Sequence, residues 1–270
     1  MSKDNELSMN LRSDYLAMTV IGAHLAAYLL VWLTGSNETL FYWLNSLLSY
    51  LPDTFWQVTT HFGETLSAAA ILLLFVRKYP VLLPHLLISG LCCFALVYGL
   101  KQFLDVTRPH LVLPIESFHF IETNKTTPSR PSGHTATGAF IAATLAYLFK
   151  DKYQITLPLI AAGCMVALSR IAIGVHWPLD LFMGGAIGWI TGYSGLHMVR
   201  KLAAPYLALC KEGSRSFTLL YCISAVLVIS LLVLMSWPYP EPTFWFKSVL
   251  IVMLTVTTIR LMRPGVSSTP

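Results

Sequence analysis

The chain has 270 residues, of which 55% are hydrophobic and only 11% charged, whereas an ordinary soluble domain is roughly 25% charged. That balance excludes a soluble globular protein and reads as an integral membrane protein. The net charge of +5 would point to an anionic partner in a soluble protein; here its distribution matters more than its sum, and no nucleic-acid partner is expected.

Apolar stretches run at 15–34, 54–76, 80–104, 132–149, 155–173, 178–199, 217–236 and 243–262, each close to the roughly 17 to 25 residues that a spanning helix needs. The expected fold is therefore all-α, a polytopic transmembrane helical bundle of eight spans. The first stretch follows the mixed charges Lys3, Asp4, Glu6, Arg12 and Asp14 and has no small-residue cleavage site at its end, so it reads as a retained span. Residues 36–53 carry Leu40, Phe41, Trp43, Leu44, Leu47, Leu48 and Leu51 at helical spacing. They read either as a short amphipathic helix in the outer interface or as the lead-in to the second span. That second span is diluted by Gln57, His61 and Glu64, and only Thr65 to Val76 is continuously apolar.

The longest polar segment, 105–131, holds Pro109, Pro114, Pro128 and Pro131. Helix cannot continue through it, and functional residues are most often displayed on such loops. The connections at 77–80, 150–154 and 200–216 are short and basic. The five cysteines, Cys92, Cys93, Cys164, Cys210 and Cys222, show no metal-like spacing and are read as small apolar residues without disulfides. With both termini placed in the cytoplasm, 12 of the 18 Lys and Arg fall on the inner side, as the positive-inside bias requires. Lys101, Arg108, Lys125, Arg130, Arg170 and Lys247 remain for the outer face.

Three clusters share that outer face. Lys101 is followed after six residues by Arg108-Pro109; seven positions are close to two helical turns, so both cations can lie on one helix face. Pro131-Ser132-Gly133-His134 opens the fourth span, and Ser169-Arg170 with His176 and Asp180 links the fifth to the sixth. The chemistry they imply is phosphoryl binding. Lys101, Arg108 and Arg170 supply fixed positive charge and forked donors. Ser132 can cap the fourth helix, and Gly133 lets backbone N–H groups at the positive helix end approach an anion. Pro178 suits the first helical position, which places Asp180 where it accepts a hydrogen bond from one ring nitrogen of His176 and leaves the other nucleophilic. His134, across the cradle, is positioned as general acid. The implied reaction is attack by His176 on phosphorus followed by hydrolysis of a phosphohistidine, with no metal and no cofactor.

Lys-six-Arg-Pro, Pro-Ser-Gly-His and Ser-Arg-five-His-three-Asp together resemble the signature of the type-2 phosphatidic acid phosphatase superfamily of membrane lipid phosphatases. The motifs cover 101–180, and the family's six-span core maps onto roughly 15–199. The resemblance implies His176 as nucleophile, His134 as acid, Asp180 as orienter, and Lys101, Arg108, Ser132, Gly133 and Arg170 as phosphate ligands. This chain adds two C-terminal spans, so it divides into a core at 1–200 and a two-span hairpin at 201–270.

Plainer readings exist for several of these residues. His176 with Asp180 is also a self-satisfying pair at a helix start, and cations at helix ends also anchor headgroups; the joint presence of three clusters weighs against both. Asp105 reads as a helix-surface ion-pair partner of Lys101 and Arg108. His110 and His119 read as solvated, His24 as a satisfied interhelical histidine, and His85 and His197 as lying away from the site. His61 and Glu64 border the substrate mouth or play no part. Lys125 and Arg130 contact a distal headgroup or a second phosphate, or are solvated. Gly184, Gly185, Gly188 and Gly192 allow close helix packing.

The expected protein is a multi-pass enzyme of the bacterial cytoplasmic (inner) membrane with its site on the outer leaflet. Its expected partners are the bilayer and a lipid phosphate: undecaprenyl pyrophosphate first, then phosphatidylglycerol phosphate, phosphatidic acid and lipid A 1-phosphate. A lipid-to-lipid phosphotransferase and a non-catalytic lipid binder or transporter are the alternatives.

Overall fold

The structure, a computed structural model, describes residues 11–121, 127–150, 152–202 and 214–262. Lys125, Cys210 and the charged residues before 11 and after 262 lie outside the described residues. The described residues form an all-α polytopic helical bundle without strands. Its helices are α1 (Leu11–Thr34), α2 (Asn37–Leu48), α3 (Asp53–His61), α4 (Thr65–Val76), α5 (Leu82–Leu104), α6 (Pro109–Val112), α7 (Gly133–Leu148), α8 (Tyr153–Ala172), α9 (Pro178–Trp189), α10 (Gly195–Leu202), α11 (Arg215–Leu234) and α12 (Pro240–Met262). A π turn, Ile190–Ser194, joins α9 to α10.

All eight expected spans are helical, but they are not eight equal rods. Five helices among the described residues are long and apolar enough to cross a membrane, and a sixth span is made if α3 and α4, bent by 62°, count as one. The break falls at residues 62–64, just before the continuously apolar run. The fourth stretch, α7, has 16 residues, about 24 Å of helix, and the sixth is divided by the π turn.

The shortness of α7 follows from its place. Twelve of its 16 residues are buried, packed by α8 and α9 and, on other sides, by α4 and α5. Lipid tails are as apolar as leucine, so helices associate in a bilayer through close contact between small residues. α7 is rich in Ala, Gly and Thr, and α9 meets it with a glycine stripe. A Cβ added at Gly184 would fall 2.5 Å from the Ser132 carbonyl oxygen, at Gly188 2.3 Å from that of Ala136, and at Gly192 2.7 Å from that of Phe140. Gly185 faces the other way, onto the His24 ring of α1, whose Nδ1 bonds the Val20 carbonyl.

At the motif end, α2 is a separate helix, resolving the two readings of residues 36–53. Its role differs from an interface float: Phe41 and Asn45 are buried, Phe41 against Phe118 and Trp177. The Asn45 amide donates to the carbonyls of His119 and Ile171 at 2.9 Å and accepts from the His119 N–H at 2.7 Å. α11 and α12 form a hairpin that packs on α4, with α12 also on α3. The four described cysteines are free.

Gly188→Val therefore has nowhere to put its side chain except into the α7 backbone. It is expected to destabilise the bundle by about 1–3 kcal/mol, read as a lowered thermal unfolding midpoint in detergent, while the same change at Gly22, whose added Cβ meets nothing within 4 Å, leaves the midpoint near wild type.

Candidate active site

The last turn of α8 carries Ser169 and Arg170, and the chain then turns through Gly174 into α9. Gly174 has φ +82°, and a Cβ there would lie 2.7 Å from the Phe118 ring, so only glycine suits this turn. The turn delivers His176, 2% exposed, just before Pro178 at the start of α9. One turn in, Asp180 is fully buried.

Four donors converge on that carboxylate. His176 Nδ1 lies 3.1 Å from Oδ2, the Trp177 backbone N–H donates to Oδ2 at 2.9 Å, the Ser129 hydroxyl donates to Oδ2, and Arg130 Nε donates to Oδ1 at 3.0 Å. A carboxylate has about four acceptor positions; three of these donors fall on Oδ2 and one on Oδ1. The Ser132 N–H also donates to the Asp180 carbonyl at 3.0 Å.

The other ring nitrogen of His176, Nε2, is 3.3 Å from Arg108 Nη1. Guanidinium nitrogens can only donate, so Nε2 accepts and the proton resides on Nδ1, facing Asp180. Burial holds the His176 ring well below the ordinary histidine value, and the positive charges of Arg108, Arg170 and Lys101 and the nearby His134 push in the same direction. The ring is therefore neutral at neutral pH, with its lone pair aimed at the cation cluster.

Those cations are themselves positioned by backbone. Arg108 donates through Nε to the Thr127 carbonyl at 2.7 Å and through Nη1 to that of Val175 at 3.0 Å. Lys101 donates to the carbonyls of Pro128 and Ser129. Arg170, 1% exposed, donates to the Thr60 hydroxyl of α3. The shared helix face expected for Lys101 and Arg108 is corrected: α5 ends at Leu104, Asp105 caps it in a left-handed conformation, and Arg108 precedes α6 in extended backbone. The two cations converge because the chain turns. Asp105 is exposed and has no ion pair among the described residues.

Ser132 caps α7, accepting from the Thr135 N–H. A Cβ at Gly133 would meet only Val97, at 3.7 Å, so helix packing does not demand glycine there; the space beside it is open. His134 stands in the first turn of α7 with Nε2 3.1 Å from Glu64 Oε1. Glu64 reaches it because α3 and α4 break at Gly63, where an added Cβ would lie 2.8 Å from the His134 Cβ.

Several plain expectations for neighbouring residues change. Arg130 is tied to Asp180 and stacks on the Tyr28 ring, so it is neither solvated nor turned outward. His61 is not at the mouth; it is buried, with Nε2 3.0 Å from the Thr243 hydroxyl of α12. His110 is 5% exposed and stacked on Phe120, whereas His119 sits at the surface with Nε2 2.8 Å from Asp53 Oδ1. Ser129 and Thr60 were not singled out by motif; a buried carboxylate and a buried guanidinium each demand more partners than the motifs supply, and that demand is the signal which points to them.

The arrangement offers a neutral imidazole with an oriented lone pair, three cations around it, a helix N-terminus beside them and a second imidazole backed by a carboxylate. The chain is similar to known proteins over the region that carries these residues. A family model described as the PAP2 superfamily matches residues 79–204. An undecaprenyl-diphosphatase of Sulfolobus acidocaldarius is 34% identical over 128 residues, 47% of this chain and 59% of that relative. The crystal structure of Aquifex aeolicus LpxE superposes with a TM-score of 0.52 at 29% identity, covering 60% of this chain and 94% of the other. A transmembrane PAP2-type phosphatidylglycerolphosphate phosphatase from Bacillus subtilis superposes at 0.51 and 18% identity, covering 71% and 97%, which speaks for the fold.

Removing the Ser129 hydroxyl leaves the buried carboxylate one donor short. Ser129→Ala is expected to destabilise by about 1–3 kcal/mol, measured as a shift in the thermal unfolding midpoint. Ser49→Ala, which removes an exposed hydroxyl bonded within α2, is expected to leave the midpoint within error.

Proposed function

From the match of a PAP2 superfamily model to residues 79–204, we propose that the chain belongs to that superfamily and is an integral membrane phosphatase acting on a lipid phosphate or pyrophosphate through a phosphohistidine. The observation that carries this reading is the His176 ring, with Nδ1 on Asp180 and Nε2 on Arg108. Arg108 occupies the direction from which phosphorus must approach, and its guanidinium moves onto a phosphoryl oxygen when substrate arrives.

In the first step Nε2 attacks phosphorus, the N–P bond forms and the bond to the lipid oxygen breaks. His134 gives its proton to that oxygen. Lys101, Arg108 and Arg170 take the equatorial oxygens with the Ser132 hydroxyl and the N–H groups at Gly133. Asp180 stabilises the ring as it becomes cationic. In the second step water attacks phosphorus, His134 accepts its proton, and the N–P bond breaks to release inorganic phosphate. Glu64 is a positioning residue that holds the His134 ring. These groups balance the charge of the transition state without a divalent metal, and activity in chelator is expected.

Undecaprenyl pyrophosphate is the first substrate proposed, supported by the similarity to the archaeal diphosphatase over 128 residues. The phosphatase core is residues 1–200, with the motif face outside and both termini in the cytoplasm, supported by the 12 to 6 division of basic residues.

Purified protein incubated with undecaprenyl pyrophosphate is expected to release phosphate into solution, and His176→Ala to lower kcat by roughly 10³-fold or more. Wild-type protein quenched during turnover of ³²P-labelled donor is expected to carry acid-labile label; phosphate release by His176→Ala at the wild-type rate would refute the mechanism, and label passing to a second lipid would make the protein a phosphotransferase.

The pH dependence has a definite sign. Because the free His176 ring is held below 6.5, it stays neutral as the pH falls through that value, and the acid limb of kcat/KM is expected below 6.5. A limb at or above 6.5 contradicts the buried, cation-flanked nucleophile.

A further inference from the structure

The last two helices have no part in the chemistry, yet one of them borders a cavity. A groove of ≈ 680 Å³ runs beside the site, floored by α4 and α7, with Leu91 and Phe94 of α5 on one flank and Leu227 and Val228 of α11 on the other. Both flanking helices pack on α4, which makes the cavity a slot. Leu91, Phe94 and Leu227 are 66%, 59% and 57% exposed, so the slot opens sideways, where a bilayer would be. Its walls are apolar for most of their length and become polar at one end, at Lys101, Gly133, His134 and Glu64. Between Leu83 and Lys101 it follows about 27 Å of α5, close to the roughly 30 Å of a bilayer's hydrocarbon layer.

An apolar slot continuous with a cationic end is the complement of a single molecule with an anionic head and a long hydrocarbon tail. We propose that the slot holds the hydrocarbon chain of the same lipid whose phosphate lies among Lys101, Gly133 and His134, and that α11, through Leu227 and Val228, determines which chains are accepted. The proposal rests on the phosphatase reading above and extends it to the C-terminal hairpin. A chain moving from lipid into the slot leaves one apolar medium for another, so it gains little from the hydrophobic effect. Discrimination must come from shape: how well the chain fills the space between α5 and α11 without overlap. A six-span core would leave the α11 flank open, so this selectivity belongs to the hairpin.

The test uses the full chain in nanodiscs and two substrate series of increasing chain length, prenyl pyrophosphates from farnesyl to undecaprenyl and phosphatidic acids from dioctanoyl to dioleoyl. Leu227→Trp projects bulk into the slot from a half-exposed position that the fold tolerates. It is expected to lower kcat/KM for the longest members of the preferred series by roughly tenfold or more and to change the shortest by less than about twofold. Equal loss at all lengths, or no loss at any, overturns the proposal. Ser224→Phe, entering from the same flank, is expected to repeat the pattern.

A second measurement does not need turnover. Dioleoyl phosphatidic acid carrying a mid-chain diazirine is expected to label residues 224–228 on irradiation, with labelling suppressed by excess unlabelled phosphatidic acid and unaffected by phosphatidylcholine. Suppression by both lipids alike marks ordinary annular contact and overturns the proposal. Specific labelling of a protein that releases no phosphate would keep the slot and refute the phosphatase reading.

Discussion

A carboxylate taken fully out of water has to be surrounded by donors or it will not remain charged, and the motif end of this protein is built around one such group. Asp180 draws its donors from three places: the Ser129 and Arg130 side chains of the loop before α7, the Trp177 backbone, and His176. Meeting that demand ties the loop, the turn after α8 and the start of α9 to one another. The aromatic packing of Phe41 on Trp177 and the Asn45 bond to the Ile171 carbonyl at the end of α8 hold the same turn from the α2 side. The orientation of the His176 ring follows from these contacts, because the nitrogen that faces Asp180 decides which one faces Arg108.

The cations show a related economy. Lys101 and Arg108 are anchored through backbone carbonyls of the same loop and of Val175, which fixes their direction. The carbonyls belong to residues 127–129 and 175, so the loop and the turn that complete the Asp180 shell also aim these cations. The cations and the His176 ring are positioned together.

Much of this was legible in the sequence because it rests on residue types at fixed separations. A histidine four residues before a buried aspartate, with proline between them, can hardly avoid the observed pairing. Eight apolar runs likewise translate into helices without further information. Three features were not legible, each for a physical reason. Hydropathy does not distinguish a helix wrapped by protein from one wrapped by lipid, so α7 read as an ordinary span although its neighbours, not lipid, cover it. Seven-residue spacing put Lys101 and Arg108 on one helix face, yet a left-handed residue at Asp105 ends the helix early. Glu64, Thr60 and Asn45 make bonds across 70, 110 and 126 residues of chain, and such partners leave no local pattern. They emerge only when each buried polar group is asked where its hydrogen bonds go.

The π turn at 190–194 bears on how the sixth helix keeps two neighbours. Four residues of α-helix advance by 400°, so a stripe of residues spaced by four rotates about 40° per step away from its starting direction. Gly184, Gly188 and Gly192 obey that spacing and would drift off α7 if the helix were uniform. A wider turn accommodates an additional residue and reverses the drift. Immediately beyond it Gly195 faces Ser89 and His85 of α5, so the close approach passes from one partner to the next. The irregularity thus acts as a phase correction, allowing a single helix to seat against α7 at the motif end and against α5 at the opposite one.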